Sequence, residues 1–170
     1  YLPSVSYVQG GSGYTTATAL STLLPLILAL DPMPKAVFVM CGINDVNLGI
    51  SAGDTSTADT IIYNLNSIYT QLRNRGCTVV AMTIMPSSLN AGTIAKKREL
   101  FKANIWIKQY AQANTGVIFV DTHAAFVDPT TGEHASTYSS DNLHPNTVGA
   151  WALGRVISQA MSSVYPANFN

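Results

Sequence analysis

The chain has 170 residues, the size of one domain, and its 9 Lys+Arg balance its 9 Asp+Glu to a net charge of zero. This excludes both the clustered positive charge that a nucleic-acid binder uses to neutralise phosphates and a polybasic membrane anchor. Charged residues make up only 11%, against roughly 25% in soluble domains, and the 47% hydrophobic fraction excludes a disordered chain.

Ser4 to Gln9 reads as a short strand, stopped by the turn Gly10-Gly11-Ser12-Gly13. Thr15 to Leu30 is apolar enough for a helix, with Pro25 as a kink or restart. This stretch includes the longest apolar run, Leu23 to Leu30, far short of the ~20 residues of a membrane span. Ala36 to Cys41 is a continuous apolar run, the signature of a fully buried parallel strand, and Gly42 ends it. Ile61, Leu65, Ile68 and Leu72 form a helical stripe, with Gly76 as its C-terminal stop. Thr78 to Met85 is the next buried strand. Ile94 to Ala113 is a helix with a basic start, and Val117 to Val120 is a further strand. Thr147 to Val164 is the last helix, with Val148, Ala152 and Val156 on one face. The alternation predicts one α/β domain over residues 1–170, three layers α/β/α around a parallel sheet. If strands 36–41 and 78–85 are neighbours, Cys41 and Cys77 lie at opposite sheet edges, beyond the roughly 7 Å Cα limit for a disulfide, and both are buried free thiols.

In such sheets ligands sit beyond the carboxyl ends of the strands, and polar motifs collect there. Gly42-Ile43-Asn44-Asp45 puts a side-chain amide donor at a strand end, suited to a developing oxyanion; plain turn chemistry also favours Asn and Asp. Gly10-Gly11-Ser12-Gly13-Tyr14-Thr15-Thr16 offers backbone N–H groups before a helix, but it lacks the Gly-Lys-Ser/Thr ending of a phosphate loop and the Gly-x-Gly-x-x-Gly spacing. In Asp141-Asn142-Leu143-His144-Pro145 a carboxylate can accept the imidazole Nδ1–H and leave Nε2 as a general base. Asp121-Thr122-His123 pairs another acid with a His, so the pairing alone is unspecific. The dispersed histidines His123, His134 and His144, with two buried Cys, do not make a zinc site, and no cofactor signature is present.

Taken together and in this order, the motifs resemble the SGNH (GDSL-type) serine hydrolase family over essentially the whole chain. The resemblance implies a flavodoxin-like sheet and ester hydrolysis without cofactor or metal. It implies that Gly10 and Asn44 are oxyanion-hole donors, and that Asp141 and His144 are the acid and base of a Ser-His-Asp triad. The substrate it implies is a small acyl ester, with O-acetyl groups on carbohydrate favoured because the Ser/Thr/Asn-rich composition and the opening Tyr1-Leu2-Pro3 read as a mature, secreted product.

One departure stands out. The family's first block is a central strand ending in Gly-Asp-Ser, whose Ser is the nucleophile, and no Gly-Asp-Ser occurs in residues 1–170. Three readings stay open. The chain is N-terminally incomplete, and an upstream segment supplies the first central strand and the nucleophile; this is the expectation adopted. Alternatively Ser12 is the nucleophile, or the domain is a catalytically inactive binding or structural module. Neither His123 nor His134 is expected to carry catalysis.

Overall fold

The computed structural model describes residues 8–49, 57–87 and 94–164. Three parallel strands form one sheet in the order β1 (Ala36–Val39), β2 (Thr78–Met82), β3 (Val117–Val120). Val37 lies opposite Val79, and Val80 opposite Ile118. The expected neighbours are therefore neighbours. Cys41 and Cys77 are both free; Cys77 is buried, but Cys41 is only partly so. The expected strand 4–9 falls largely outside the described residues, and Val8 and Gln9 are irregular.

Alternation along the strands sorts side chains onto two faces. Val39, Val79 and Ala81 pack with Ile61, Leu65, Leu72, Leu100 and Ile107 on one face. These come from α4 (Thr57–Asn74) and α5 (Ile94–Ala113). Val80, Met82, Ile118 and Val120 pack on the other face against Val156, Ile157 and Met161 of α7 (Thr147–Val164). Val148 was expected in that buried stripe with Val156 but is 54% exposed. The helix turns Leu153, Ile157 and Ala160 to the sheet instead, which rotates Val148 outward.

Chain punctuation follows local chemistry. Gly76 (φ 79°) closes α4, donating to the Arg73 carbonyl, while Cys77 N–H donates back to Leu72. The helix starting at Thr16 changes pitch: α1 (Thr16–Thr18), a π turn (Ala19–Leu23), then α2 (Leu24–Leu28) with Pro25 in its first turn. Proline has no N–H to give the preceding turn, and the wider turn absorbs that loss.

Strand lengths differ from the sequence reading. β2 ends at Met82 rather than Met85 because a side chain takes over from the ladder. Asn104 of α5 accepts from Ile84 N–H at 2.7 Å and donates to the Ile84 carbonyl at 3.0 Å. β1 ends at Val39, and it is not buried throughout: Phe38 is 50% and Met40 40% exposed. Both residues lie towards the α7 side, beyond the helix's reach. Among the described residues, β1 pairs on one edge only.

Candidate active site

Each candidate residue sits at or beyond the carboxyl end of a strand or just before a helix. The first assembly joins the glycine-rich turn to the turn after β1. Tyr14 N–H donates to the Gly11 carbonyl at 3.3 Å, and Gly13 (φ 75°) supplies the left-handed step. Thr15 caps α1, accepting from Thr18 N–H at 3.3 Å. From the other side comes α3 (Ile43–Gly49), whose Asp45 is buried. Its carboxylate accepts Thr16 N–H at 2.8 Å and the Thr16 hydroxyl at 2.6 Å, and Asn64 of α4 donates to the same hydroxyl at 3.0 Å. A buried carboxylate needs such donors, and here they bind two remote turns into one unit.

Within that unit Asn44 Nδ2 donates to the Tyr14 carbonyl at 2.9 Å. A primary amide has two N–H donors, so one orients the group and the other stays available to a ligand. Gly10 is exposed at the head of the turn. Gly42 (φ 124°) makes the sharp exit from β1, and a Cβ there would lie 2.6 Å from Ile84 Cδ1. Ile84 is itself buried. Gly42→Ala is therefore expected to cost about 2 kcal/mol or more of stability through strain and crowding. An unchanged denaturation midpoint would contradict this.

The second assembly is the loop before α7. Asp141 Oδ2 lies 2.7 Å from His144 Nδ1. Asp141 Oδ1 accepts the backbone N–H of Leu143 at 3.0 Å and of His144 at 2.7 Å, and the Ser139 hydroxyl at 3.1 Å. Asn142 (φ 62°) turns the chain back so that both amides reach one carboxylate, a conformation Asn tolerates. The His144 ring, together with the His144 and Leu143 amides, holds the Asp141 carboxyl well below the usual carboxylate range. The charged form thus persists wherever His144 needs an acceptor. With Nδ1–H engaged, Nε2 is the free, basic nitrogen.

Residues that the sequence reading did not single out hold this loop. Asn146 caps α7, accepting Gly149 N–H at 2.9 Å. It also donates to the Tyr138 carbonyl at 2.8 Å through its backbone and to the Thr137 carbonyl at 3.1 Å through its amide. Gly149 has no room for a Cβ, because the Tyr138 carbonyl presses against it. An Asn two residues before an apolar helical run was the available signal for the cap. Thr16 and Asn64 gave none, because their partner lies far away in sequence.

The other acid–histidine pair has different duties. Asp121 caps α6 (Thr122–Phe126), accepting Ala124 N–H at 3.0 Å, and also accepts from the Thr83 hydroxyl at 3.2 Å. His134 is buried edge-on against Phe126, with centroids 5.6 Å apart. Ser12 lies in the exposed turn, and no hydrogen bond links it to His144 among the described residues.

The two assemblies meet at a small apolar cavity of about 70 Å³. Ile43, next to Asn44, and Leu143, next to His144, both line it, together with Met40, Cys41, Ile84 and Met85. Burial, with the Asp45 charge beside it, pushes the Cys41 thiol up to about 12, so the cysteine presents a neutral wall rather than a thiolate. Among the described residues no three His, Cys, Asp or Glu side chains gather as a metal site, and no helix is long and apolar enough to cross a membrane.

Comparison with known proteins shows the family and the fold. Residues 1–152 match the GDSL-like lipase/acylhydrolase family. The fold is similar to that of a GDSL-like lipase from Bacteroides thetaiotaomicron, at 22% identity and a TM-score of 0.76, over 90% of this chain and 73% of the other. It is also similar to that of an acetylxylan esterase from Geobacillus stearothermophilus, at 23% identity and a TM-score of 0.69, over 88% of this chain and 68% of the other. No curated protein sequence matches. With strands, motif order and neighbours in agreement, the chain belongs to the GDSL-like lipase/acylhydrolase family.

Proposed function

We propose that this protein hydrolyses small acyl esters, O-acetyl groups on carbohydrate above all, by a Ser-His-Asp mechanism. The observation that carries the reading is the 2.7 Å Asp141–His144 contact, fixed by backbone amides, with Leu143 and Ile43, the chain neighbours of His144 and Asn44, lining one small apolar cavity. His144 Nε2 removes the proton of a serine hydroxyl as its oxygen attacks the ester carbonyl. Asp141 holds the imidazole orientation and stabilises the imidazolium. The Gly10 N–H, the second Asn44 N–H and the nucleophile's own N–H hold the oxyanion. The imidazolium then protonates the departing alkoxide, and water releases the acid by the same steps in reverse. The narrow cavity favours a short acyl group, and the acetylxylan esterase of like fold supports the carbohydrate ester. A low-charge, Ser/Thr/Asn-rich composition supports an extracytoplasmic setting.

The serine, in this reading, comes from a segment outside residues 1–170 that adds a strand to β1. The pairing of β1 on one edge only among the described residues, and the exposed Phe38 and Met40, support that position, since unpaired strand edges and apolar patches call for a cover. Ser12 is the alternative nucleophile. The test is hydrolysis of acetylated xylo-oligosaccharide by the protein carrying its upstream segment. Ser12→Ala is expected to lower the rate only modestly, by loosening the glycine turn. A loss matching that of a His144 variant would make Ser12 the nucleophile, and no hydrolysis by the parent protein would make the domain a binding module.

A further inference from the structure

A second cleft adjoins the cavity beside Leu143, the two sharing Ile43 and Pro86. Asn47 of α3 lines this cleft opposite Lys96, Lys97 and Phe101 of α5, and His123 completes it. Its space of about 30 Å³ holds roughly two waters or one carboxylate, and no sugar ring.

The charges there are arranged against local stability. α5 begins with Lys96 and Lys97 in its first turn and no acid. Cations at a helix N-terminus oppose the helix dipole. Glu133 lies 3.6 Å from Lys97 and offsets that charge. Lys96 Nζ donates only to a neutral acceptor, the Asn47 carbonyl, at 3.1 Å, and among the described residues it has no carboxylate partner. Glu99 does not help, being buried and occupied by the Ala58 N–H at 3.0 Å and by Lys102 at 2.9 Å. Among the described residues the cleft therefore carries one positive charge, that of Lys96, without a carboxylate beside it. His123 rests against Phe101 with centroids 5.2 Å apart. Burial, opposed by the Asp121 charge, lowers its pKa, so the ring is neutral near pH 7 and adds an N–H without adding charge.

We propose that this cleft binds a carboxylate on the alcohol part of the substrate, so that the preferred ester is an acylated uronic acid. The proposal rests on the esterase reading for its relation to catalysis. The Lys96 charge, a neutral donor and an aromatic wall match a monoanionic carboxylate.

The probe is sodium D-glucuronate, titrated into the whole chain at low ionic strength and followed by NMR, with D-glucose as the neutral control. Glucuronate is expected to bind saturably, with shifts centred on residues 43–47, 96–101 and 123, and glucose is not. Lys96→Met should weaken glucuronate binding about tenfold or more, through loss of a charge-assisted hydrogen bond. In the unmodified chain, affinity should fall as sodium chloride is raised, a readout that holds even if the variant does not fold. Absence of saturable binding, equal binding of glucose, tighter binding of inorganic phosphate, salt-independent affinity, or full affinity in a folded Lys96→Met variant would each overturn the proposal. Binding needs no hydrolysis, so this result is separate from the fate of the esterase reading.

Discussion

His144→Ala is expected to lower ester hydrolysis by about three orders of magnitude or more, measured on acetylated oligosaccharide against the unmodified protein. The size follows from geometry. In the proposed mechanism Nε2 acts as the base because Nδ1 faces Asp141 at 2.7 Å, and neither other imidazole shares that contact. His123 rests on Phe101 in the neighbouring cleft, and His134 is buried against Phe126. Changing His134 should therefore cost stability rather than chemistry. The His144 side chain is exposed, so its loss should leave the thermal midpoint nearly unchanged. Near-normal hydrolysis by His144→Ala would remove the mechanism.

Asn44→Ala is expected to lower kcat by about a hundredfold to a thousandfold, with KM changing far less, because an oxyanion donor acts mainly in the transition state. The Tyr14 carbonyl occupies one amide N–H at 2.9 Å and aims the other. Removing the amide deletes the donor but leaves the Asp45–Thr16–Asn64 connection, which keeps the glycine turn in place. A kcat within a few-fold of the parent, in a variant that melts normally, would show that the amide serves the turn and not the reaction.

Much of the fold was legible because its signals are local. Buried parallel strands are continuous apolar runs, and the 36–41, 78–85 and 117–120 runs each became a strand. The Ile61–Leu72 stripe and the Gly76 stop marked α4, and the ends of α5 and α7 coincide with the expected ones. The Asp141–His144 pairing was legible for the same reason. Acid and base are three residues apart on one turn, and local chain geometry brings them together.

What depended on distant residues was not legible. Strand ends shifted because Asn104, twenty residues on, takes the Ile84 backbone groups that a ladder would otherwise use. The burial of Phe38 and Met40 failed because apolarity says that a side chain should be covered, while only neighbouring elements decide whether it is. Val148 turned outward because the position of the sheet selects which stripe of α7 packs. The amino-acid sequence by itself determined β1 to β3, α4, α5 and α7 in their order and the Asp141–His144 unit, set by propensity, periodicity and short-range contact, while α3, α6 and the π turn were not read from it. Only the tertiary structure decided that Asp45 ties the glycine turn to α3, that Ile43 and Leu143 line one cavity, and that two lysines border the cleft beside it. Those relations depend on packing between segments far apart in the chain, which no local pattern encodes.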